Sequence, residues 1–160
     1  MREIELTQGK VALVDDDDFE WLNQWKWHYT KRGYATRTTW DGVYRGKIKM
    51  HREIMKLGDF KKDPFEIDHK DRNRLNNCKS NLRICTRGQN EINKPKNKGT
   101  SSKYKGVIYD KERNKWRTSL DFNGKAVFMK RFSTEIEAAI AYNEQAITYF
   151  GEFANLNVID

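Results

Sequence analysis

The chain has 160 residues, 37% hydrophobic and 34% charged, with a formal net charge of +8 and an isoelectric point near 9.4. That length suits one ordinary domain or two small ones, argues against a large single core, and makes a polyanion the first partner to consider. No apolar run approaches a membrane span and no N-terminal signal pattern is present; Cys78 and Cys85, six residues between them and no Cys-x-x-Cys pair, give structural zinc no support.

The charge is concentrated in the middle of the chain. Residues 46–99 carry 15 basic and 7 acidic side chains, net +8, and residues 100–131 carry 9 basic and 3 acidic, net +6. Residues 132–160 carry 5 acidic and no basic ones.

Residues 1–14 alternate as two short strands, Ile4 and Leu6 then Val11 and Leu13, around a Gln8-Gly9 turn. The run Asp15–Asp18 followed by Phe19, Trp21, Leu22 and Trp25 predicts a short helix with acids at its positive end, facing water; binding of a cation is the other use of such a run. The stretches GYATRTTW and YRGKIKMHREIM read as a strand pair around Asp41-Gly42. This places His51 on a strand, as a packed histidine or as support for a nearby site.

Residues 66–90 read EIDHKDRNRLNNCKSNLRICTRGQN, with few apolar residues and five asparagines. Glu66–His69 and Leu82–Cys85 predict short strands, and Thr86 with Gln89 predicts a capped helix start. A hairpin laid over a helix would bring Asp68, His69 and Asn90 together. A hard divalent cation takes oxygen ligands, which Asp68 and the Asn90 carbonyl can supply with one negative charge between them. His69 has the proton affinity to activate water near neutral pH, and an amide such as Asn81 can orient its ring. Asn76 and Asn77 suit a turn-rich loop, and Asp71 suits its bracing.

The pattern Asp68-His69, Asn81, Asn90, with DHKDRN, SNLR and QNEIN around it, resembles the HNH nuclease family, in the phage-type homing branch whose last histidine is asparagine. VALVDDDDFEWLNQWKWH, GYATR and MHREIM extend the resemblance over residues 1–93. It implies a beta-beta-alpha-metal module in which Asp68 and Asn90 bind one Mg²⁺ or Mn²⁺ ion, with no zinc. It also implies His69 as general base and Asn81 as the residue that holds it.

Residues 94–103, KPKNKGTSSK, predict a basic linker. After it YKGVIYD, KWRTSLDF and KAVFMKRF predict three strands with turns at Glu112–Asn114 and Asn123-Gly124. A helix follows, with a Thr134/Glu137 capping box, a stripe of Ile136, Ala139, Ile140, Ile147 and Phe150, and a stop at Gly151. Alternation places Trp116, Thr118, Leu120, Val127 and Met129 toward the helix, and Arg117, Ser119, Phe128 and Lys130 on an exposed basic face.

YKGV, VFMKRFST, EAAIAYNEQA and FANLNV resemble the Apetala/ethylene-response-factor DNA-binding domain over residues 104–158. The resemblance implies that the sheet reads the DNA major groove, with Lys105, Arg117, Ser119, Phe128 and Lys130 in contact; Arg113 and Lys115 add to the basic sheet. Ile108 and Asp121 stand where plant members usually carry arginine, so the plant base preference does not carry over.

The expectation is an α+β chain: an HNH module with an N-terminal strand/helix extension over 1–93, a linker over 94–103, and a three-stranded antiparallel sheet packed on one helix over 104–160. The function implied is metal-dependent cleavage of duplex DNA, a nick when the protein acts as a monomer. No membrane and no small-molecule cofactor are expected. A phage-encoded enzyme of this kind would work inside the bacterial host. The alternative is a non-catalytic DNA-binding regulator that keeps the nuclease fold.

Overall fold

The computed structural model describes residues 1–40, 42–43, 45–58, 64–97 and 99–159, and the chain divides into two units, Met1–Asn90 and Glu91–Asp160. In the first unit, β1 (Arg2–Glu5) and β2 (Val11–Val14) form an antiparallel hairpin, Arg2 opposite Val14. Gln8 and Gly9 at its turn both adopt positive φ. Helix α1 (Asp16–Asn23) follows with Asp16, Asp17 and Asp18 in its first turn, where the helix dipole favours acids. It stops before Trp25, which is exposed, whereas Trp27 is buried and donates its indole N–H to Leu22 O at 2.9 Å. Burial decides between the two tryptophans, and local periodicity could not.

Strands β3 (His28–Tyr29), β4 (Ala35–Trp40) and β5 (Arg45–Lys49) form an antiparallel sheet in that order. Gly42 of the expected Asp41-Gly42 turn has φ +94°, while Asp41 lies outside the described residues. The second strand does not continue to Met55 as its sequence suggested. Residues Met50–Ile54 form α2, with Met50, His51, Arg52 and Ile54 buried. Met50 and Ile54 are four apart, which is a helical spacing, and both enter the core. Ile4, Val14, Leu22, Trp27 and Met50 are almost fully buried in that core, and Ile67 and Leu82 join them from the next hairpin.

That hairpin is β6 (Glu66–His69) against β7 (Leu82–Cys85), antiparallel, with Asp68 opposite Arg83 and His69 opposite Leu82. Helix α3 (Arg87–Ile92) follows, and the expected Thr86/Gln89 exchange is present: Thr86 N donates to Gln89 Oε1 at 2.8 Å, and Gln89 N to Thr86 Oγ1 at 3.3 Å.

In the second unit β8 (Val107–Asp110), β9 (Lys115–Phe122) and β10 (Lys125–Phe132) form an antiparallel sheet ordered β10-β9-β8, packed on α4 (Glu135–Phe150). Asn123 and Gly124 both have positive φ, as a tight hairpin requires, and the Thr134/Glu137 capping box forms. The end of the stretch expected as linker is not bare: Ser102 is buried and donates from Oγ to Glu135 Oε1 at 2.6 Å.

Two sequence expectations fail in this unit. The buried face of α4 is Ala138, Ala139, Ala141, Tyr142 and Ala146, while Ile136, Ile140 and Ile147 are 44%, 43% and 56% exposed. Small side chains let the helix approach the sheet, and the Tyr142 ring then lies directly on Gly106, whose φ is +75°. The second failure is a register shift between Ala126 and Phe128. Leu120 pairs with Phe128, Ser119 with Met129, Thr118 with Lys130 and Arg117 with Arg131. One extra residue inverts the parity of β10 beyond it. Phe128 therefore packs into the core beside Leu120, and Met129 is 58% exposed.

A Cβ at Gly106 would overlap the Tyr142 ring on a backbone that disfavours L residues. Gly106→Ala is expected to destabilise the second unit by more than about 2 kcal/mol, read as a lower unfolding midpoint in urea.

Candidate active site

Residues 70–81 join β6 to β7, and their backbone groups need partners that no ladder provides. Asp71 is the hub: Oδ1 accepts from Asn73 N at 2.8 Å and Asn81 Nδ2 at 2.9 Å, and Oδ2 accepts from Asn76 Nδ2 at 2.7 Å. Asn81 closes the ring, because Nδ2 also donates to Asn76 O at 2.8 Å and Oδ1 accepts from Asp71 N at 3.0 Å. Burial alone would push the Asp71 carboxyl up; the bonds from Asn76, Asn73 and Asn81 outweigh it and hold its pKa below the usual value. Amides donate and accept at once, so they serve loop backbone of either polarity.

The loop is also tied to the N-terminal elements. Leu13 N donates to Leu75 O, and Asn77 N to Leu13 O, each at 2.8 Å. Lys79 N donates to Asp15 Oδ2 at 2.7 Å, and Lys79 Nζ to Asp18 Oδ1 at 2.8 Å. Asp15 and Asp18 therefore anchor this loop as well as opening α1.

His69 is buried at the end of β6. The amide facing it belongs to Asn77, whose Oδ1 stands 3.4 Å from His69 Nε2, and not to Asn81, whose amide is spent on the loop. The two residues are four apart in one loop, so spacing alone did not select between them. Asn77 is 0% exposed and its Nδ2 is held by Leu75 O at 3.1 Å, which aims its oxygen at the imidazole. An amide oxygen only accepts, so this contact favours the tautomer with the proton on Nε2. Burial lowers the His69 pKa, partly offset by Asn77, and the ring is neutral at neutral pH.

His51 sits on α2, not on a strand, and its ring meets His69 edge-on at 5.1 Å. Tyr34 lies 5.1 Å from His51 and 6.2 Å from His69. Lys49 Nζ and the Arg74 guanidinium each lie 4.8 Å from the Tyr34 ring, and Arg74 Nη1 donates to Arg32 O at 2.6 Å. Burial first, then the neighbouring His69, Lys49, Arg52 and Arg74, hold the His51 pKa well below the usual value.

Alternation along β6 puts Glu66 and Asp68 on the side opposite to Ile67. Arg83 donates from Nε and Nη2 to Asp68 Oδ2 at 2.9 and 2.6 Å. Asn90 Nδ2 donates to Glu66 Oε2 at 2.5 Å, which turns its carbonyl oxygen the other way. Two carboxylates and an amide oxygen are hard donors that suit Mg²⁺ or Mn²⁺. Cys85, opposite Glu66 in the ladder, is pushed up to about 11 by burial, then Asp68 and Glu66, and stays a thiol rather than a soft thiolate ligand. These residues fit a hard divalent cation, although no group of three His, Cys, Asp or Glu side chains is clustered for one among the described residues.

In the second unit the sheet face away from α4 carries Lys115, Arg117 and Ser119 on β9, and Met129 and Arg131 on β10. Arg131 Nε donates to Asp110 Oδ2 at 2.8 Å, and Arg113 lies 3.6 Å from Asp110 and Glu112. Phe128 and Lys130 are on the helix side of the ladder, which corrects their assignment to the exposed face; the bulge is the cause. Lys105 is held back from that face, its Nζ donating to Ile92 O and Lys94 O at 2.5 and 2.6 Å.

The β6-β7 hairpin followed by α3, with a buried histidine at the end of β6, is compatible with an HNH nuclease domain. Residues 53–92 match the family model described as HNH endonuclease. The chain is 40% identical over 155 residues to an uncharacterized HNH endonuclease of Acanthamoeba polyphaga mimivirus, covering 96% of this chain and 78% of the relative. It is 34% identical over 91 residues to Protein 3.8 of Escherichia phage T7, covering 56% of this chain and 74% of that one. No solved structure matches. The chain belongs to the HNH endonuclease family, and membership points to a DNA endonuclease. No helix among the described residues is long and apolar enough to cross a membrane.

The sequence reading singled out Asp68, His69, Asn81, Asn90 and His51. It gave no site role to Glu66, Arg83, Tyr34, Lys49 or Arg74, and took Asn77 as a loop residue. The only sequence signal for Glu66 and Arg83 was their place on paired strands, and Tyr34 had none.

A histidine held below its usual pKa binds fewer protons folded than unfolded. Its stability contribution is unaffected above pH about 6.5 and turns unfavourable as pH falls below it, by up to about 1.4 kcal/mol per pH unit. Thermal unfolding from pH 7.5 to 5 is expected to show this loss, and His51→Gln to flatten it. Asn81→Ala breaks three loop hydrogen bonds and is expected to cost roughly 1–3 kcal/mol, measured by urea unfolding.

Proposed function

We propose that this protein is a divalent-metal-dependent endonuclease, of the homing or phage type, that hydrolyses a phosphodiester in duplex DNA. The observation that carries the reading is a neutral, buried His69 oriented by Asn77, on the same short strand as the hard donors Asp68 and Glu66, with Asn90 bonded to Glu66. His69 Nδ1 takes a proton from the attacking water, and Nε2–H stays on the Asn77 carbonyl. Asp68 and Asn90 would hold the cation, and Asn81 keeps the loop in shape so that Asn77 faces the ring. When bound, Mg²⁺ or Mn²⁺ would offset charge on the phosphate and the leaving oxygen. With one such site among the described residues, a monomer cuts one strand.

The sheet of the second unit is the proposed DNA reader, through Lys115, Arg117 and Ser119, with Arg113 at its edge and Arg131 joining them. Phe128 is assigned to the core.

The alternative, a DNA-binding regulator without catalysis, is favoured by one observation: Arg83 neutralises Asp68, the carboxylate that would bind the cation. Asp68→Ala separates the two readings: cleavage lost with DNA binding retained excludes the regulator.

Supercoiled plasmid incubated with the protein and Mg²⁺ or Mn²⁺ is expected to give nicked product. His69→Ala is expected to lower the rate by at least about a hundredfold, and excess chelator to abolish cleavage. Gel-shift across a salt series is expected to show weaker duplex binding for Arg117→Ala, with a slope about 0.9 shallower in log K against log salt. Phe128→Ala is expected to lower the unfolding midpoint of the second unit instead.

A further inference from the structure

The β3-β4-β5 sheet of the first unit has two unlike faces. On one, Arg37 pairs with Ile48 across the ladder, its guanidinium is ion-paired with Glu53 of α2, and it lies over Trp25 and Trp27. That face is packed and electrically satisfied. On the other, the pairs are Thr36 with Lys49, Thr38 with Lys47, and Trp40 with Arg45. Partners across an antiparallel ladder project to the same side, and so do residues two apart along a strand. Every second position of β5 on this side is therefore a cation.

The outer part of this face is open to solvent: Thr38, Arg45 and Lys47 are exposed, and Trp40 is 63% exposed. Its inner end reaches the candidate base. Lys49 and Arg74 flank the Tyr34 ring at 4.8 Å, and that ring is 6.2 Å from His69. Burial and then Arg52, Arg32 and Arg74 lower the Lys49 pKa, while Glu66 raises it. Gathering like charges costs folding energy, and a polyanion laid along them returns it. A strand pair is narrow enough to enter the major groove of duplex DNA, and an exposed tryptophan adds a flat apolar surface at one end.

We propose that the face formed by Trp40, Arg45, Lys47 and Lys49, with Tyr34 and Arg74 at its base, is a duplex-DNA contact surface. It leads the phosphate backbone to His69. Arg45 and Lys47 hold phosphates flanking the cut, and Lys49 and Arg74 hold those nearest it. This rests on the endonuclease reading above and adds a contact surface within the first unit, separate from the sheet of the second.

The test uses the full chain in a His69→Ala background, so that DNA stays intact, and a labelled mixed-sequence duplex followed by fluorescence anisotropy across a salt series. Arg45→Gln/Lys47→Gln is expected to weaken binding at least tenfold at low salt and to flatten the slope of log K against log salt by about 1.8. Both side chains are exposed, so the unfolding midpoint should be retained; Arg45→Ala/Lys47→Ala checks that stem packing is not the cause. Unchanged affinity and slope in both double variants, while the unsubstituted protein still nicks plasmid, overturns the contact surface and leaves the endonuclease reading standing. A parent that neither binds duplex nor nicks plasmid overturns both. Structured RNA displacing the duplex at equal nucleotide concentration, through the same two residues, overturns duplex DNA as the occupant.

Discussion

The Asp71 carboxylate and the Asn81 amide hold each other, and the rest of the candidate site depends on that exchange. Between them they take up two backbone N–H groups, a backbone carbonyl and the Asn76 amide, in a loop with no ladder of its own. Each such bond contributes about 1 kcal/mol net, but a buried polar group left without one costs roughly 1–3 kcal/mol. The loop thus has one conformation in which its polar groups are met. That conformation presents Asn77 N to β2 and Asn77 Oδ1 to His69.

The second constraint is the pleat of β6. Neighbouring residues on a strand face opposite ways, so an Asp-His dipeptide puts its carboxylate and imidazole into different surroundings. His69 enters an aromatic and cationic environment with His51 and Tyr34, where burial favours a neutral ring. Asp68 joins Glu66 on the other side, where Arg83 offsets its charge and Asn90 bonds its neighbour. A base that must be neutral and a ligand that must be charged are separated by one peptide bond and face different hydrogen-bond partners.

The second unit shows how one residue of register re-aims a surface. The irregularity between Ala126 and Phe128 turns Phe128 into the core and brings Met129 and Arg131 out beside Ser119 and Arg117. The alanine face of α4 follows from close approach: the Tyr142 ring occupies the space over Gly106, and the isoleucines are left outside. Of the stripe expected from hydrophobic size, Ala139 and Phe150 pack inward, and distance between layers leaves the isoleucines outside.

Much of this was legible in the sequence where the cause is local. The Asp68-His69 pair at a strand end, the Thr86/Gln89 and Thr134/Glu137 caps and the Asn123-Gly124 turn depend on residues within a few positions of one another. They formed as read, and Asn76 and Asn77 were legible as loop residues. What the tertiary structure alone decided involves partners far apart in the chain. Asn77 rather than Asn81 faces His69 because β2 pulls residue 77 inward. His51 reaches the site because Met50 and Ile54 seek the core as a helix, and Tyr34, just before β4, and Lys49, at the end of β5, arrive there with a sheet next to that core. Local hydrogen bonding and alternation are written in adjacent residues, whereas the choice among similar amides, cations and aromatics is made by packing over tens of residues, which no short-range pattern encodes.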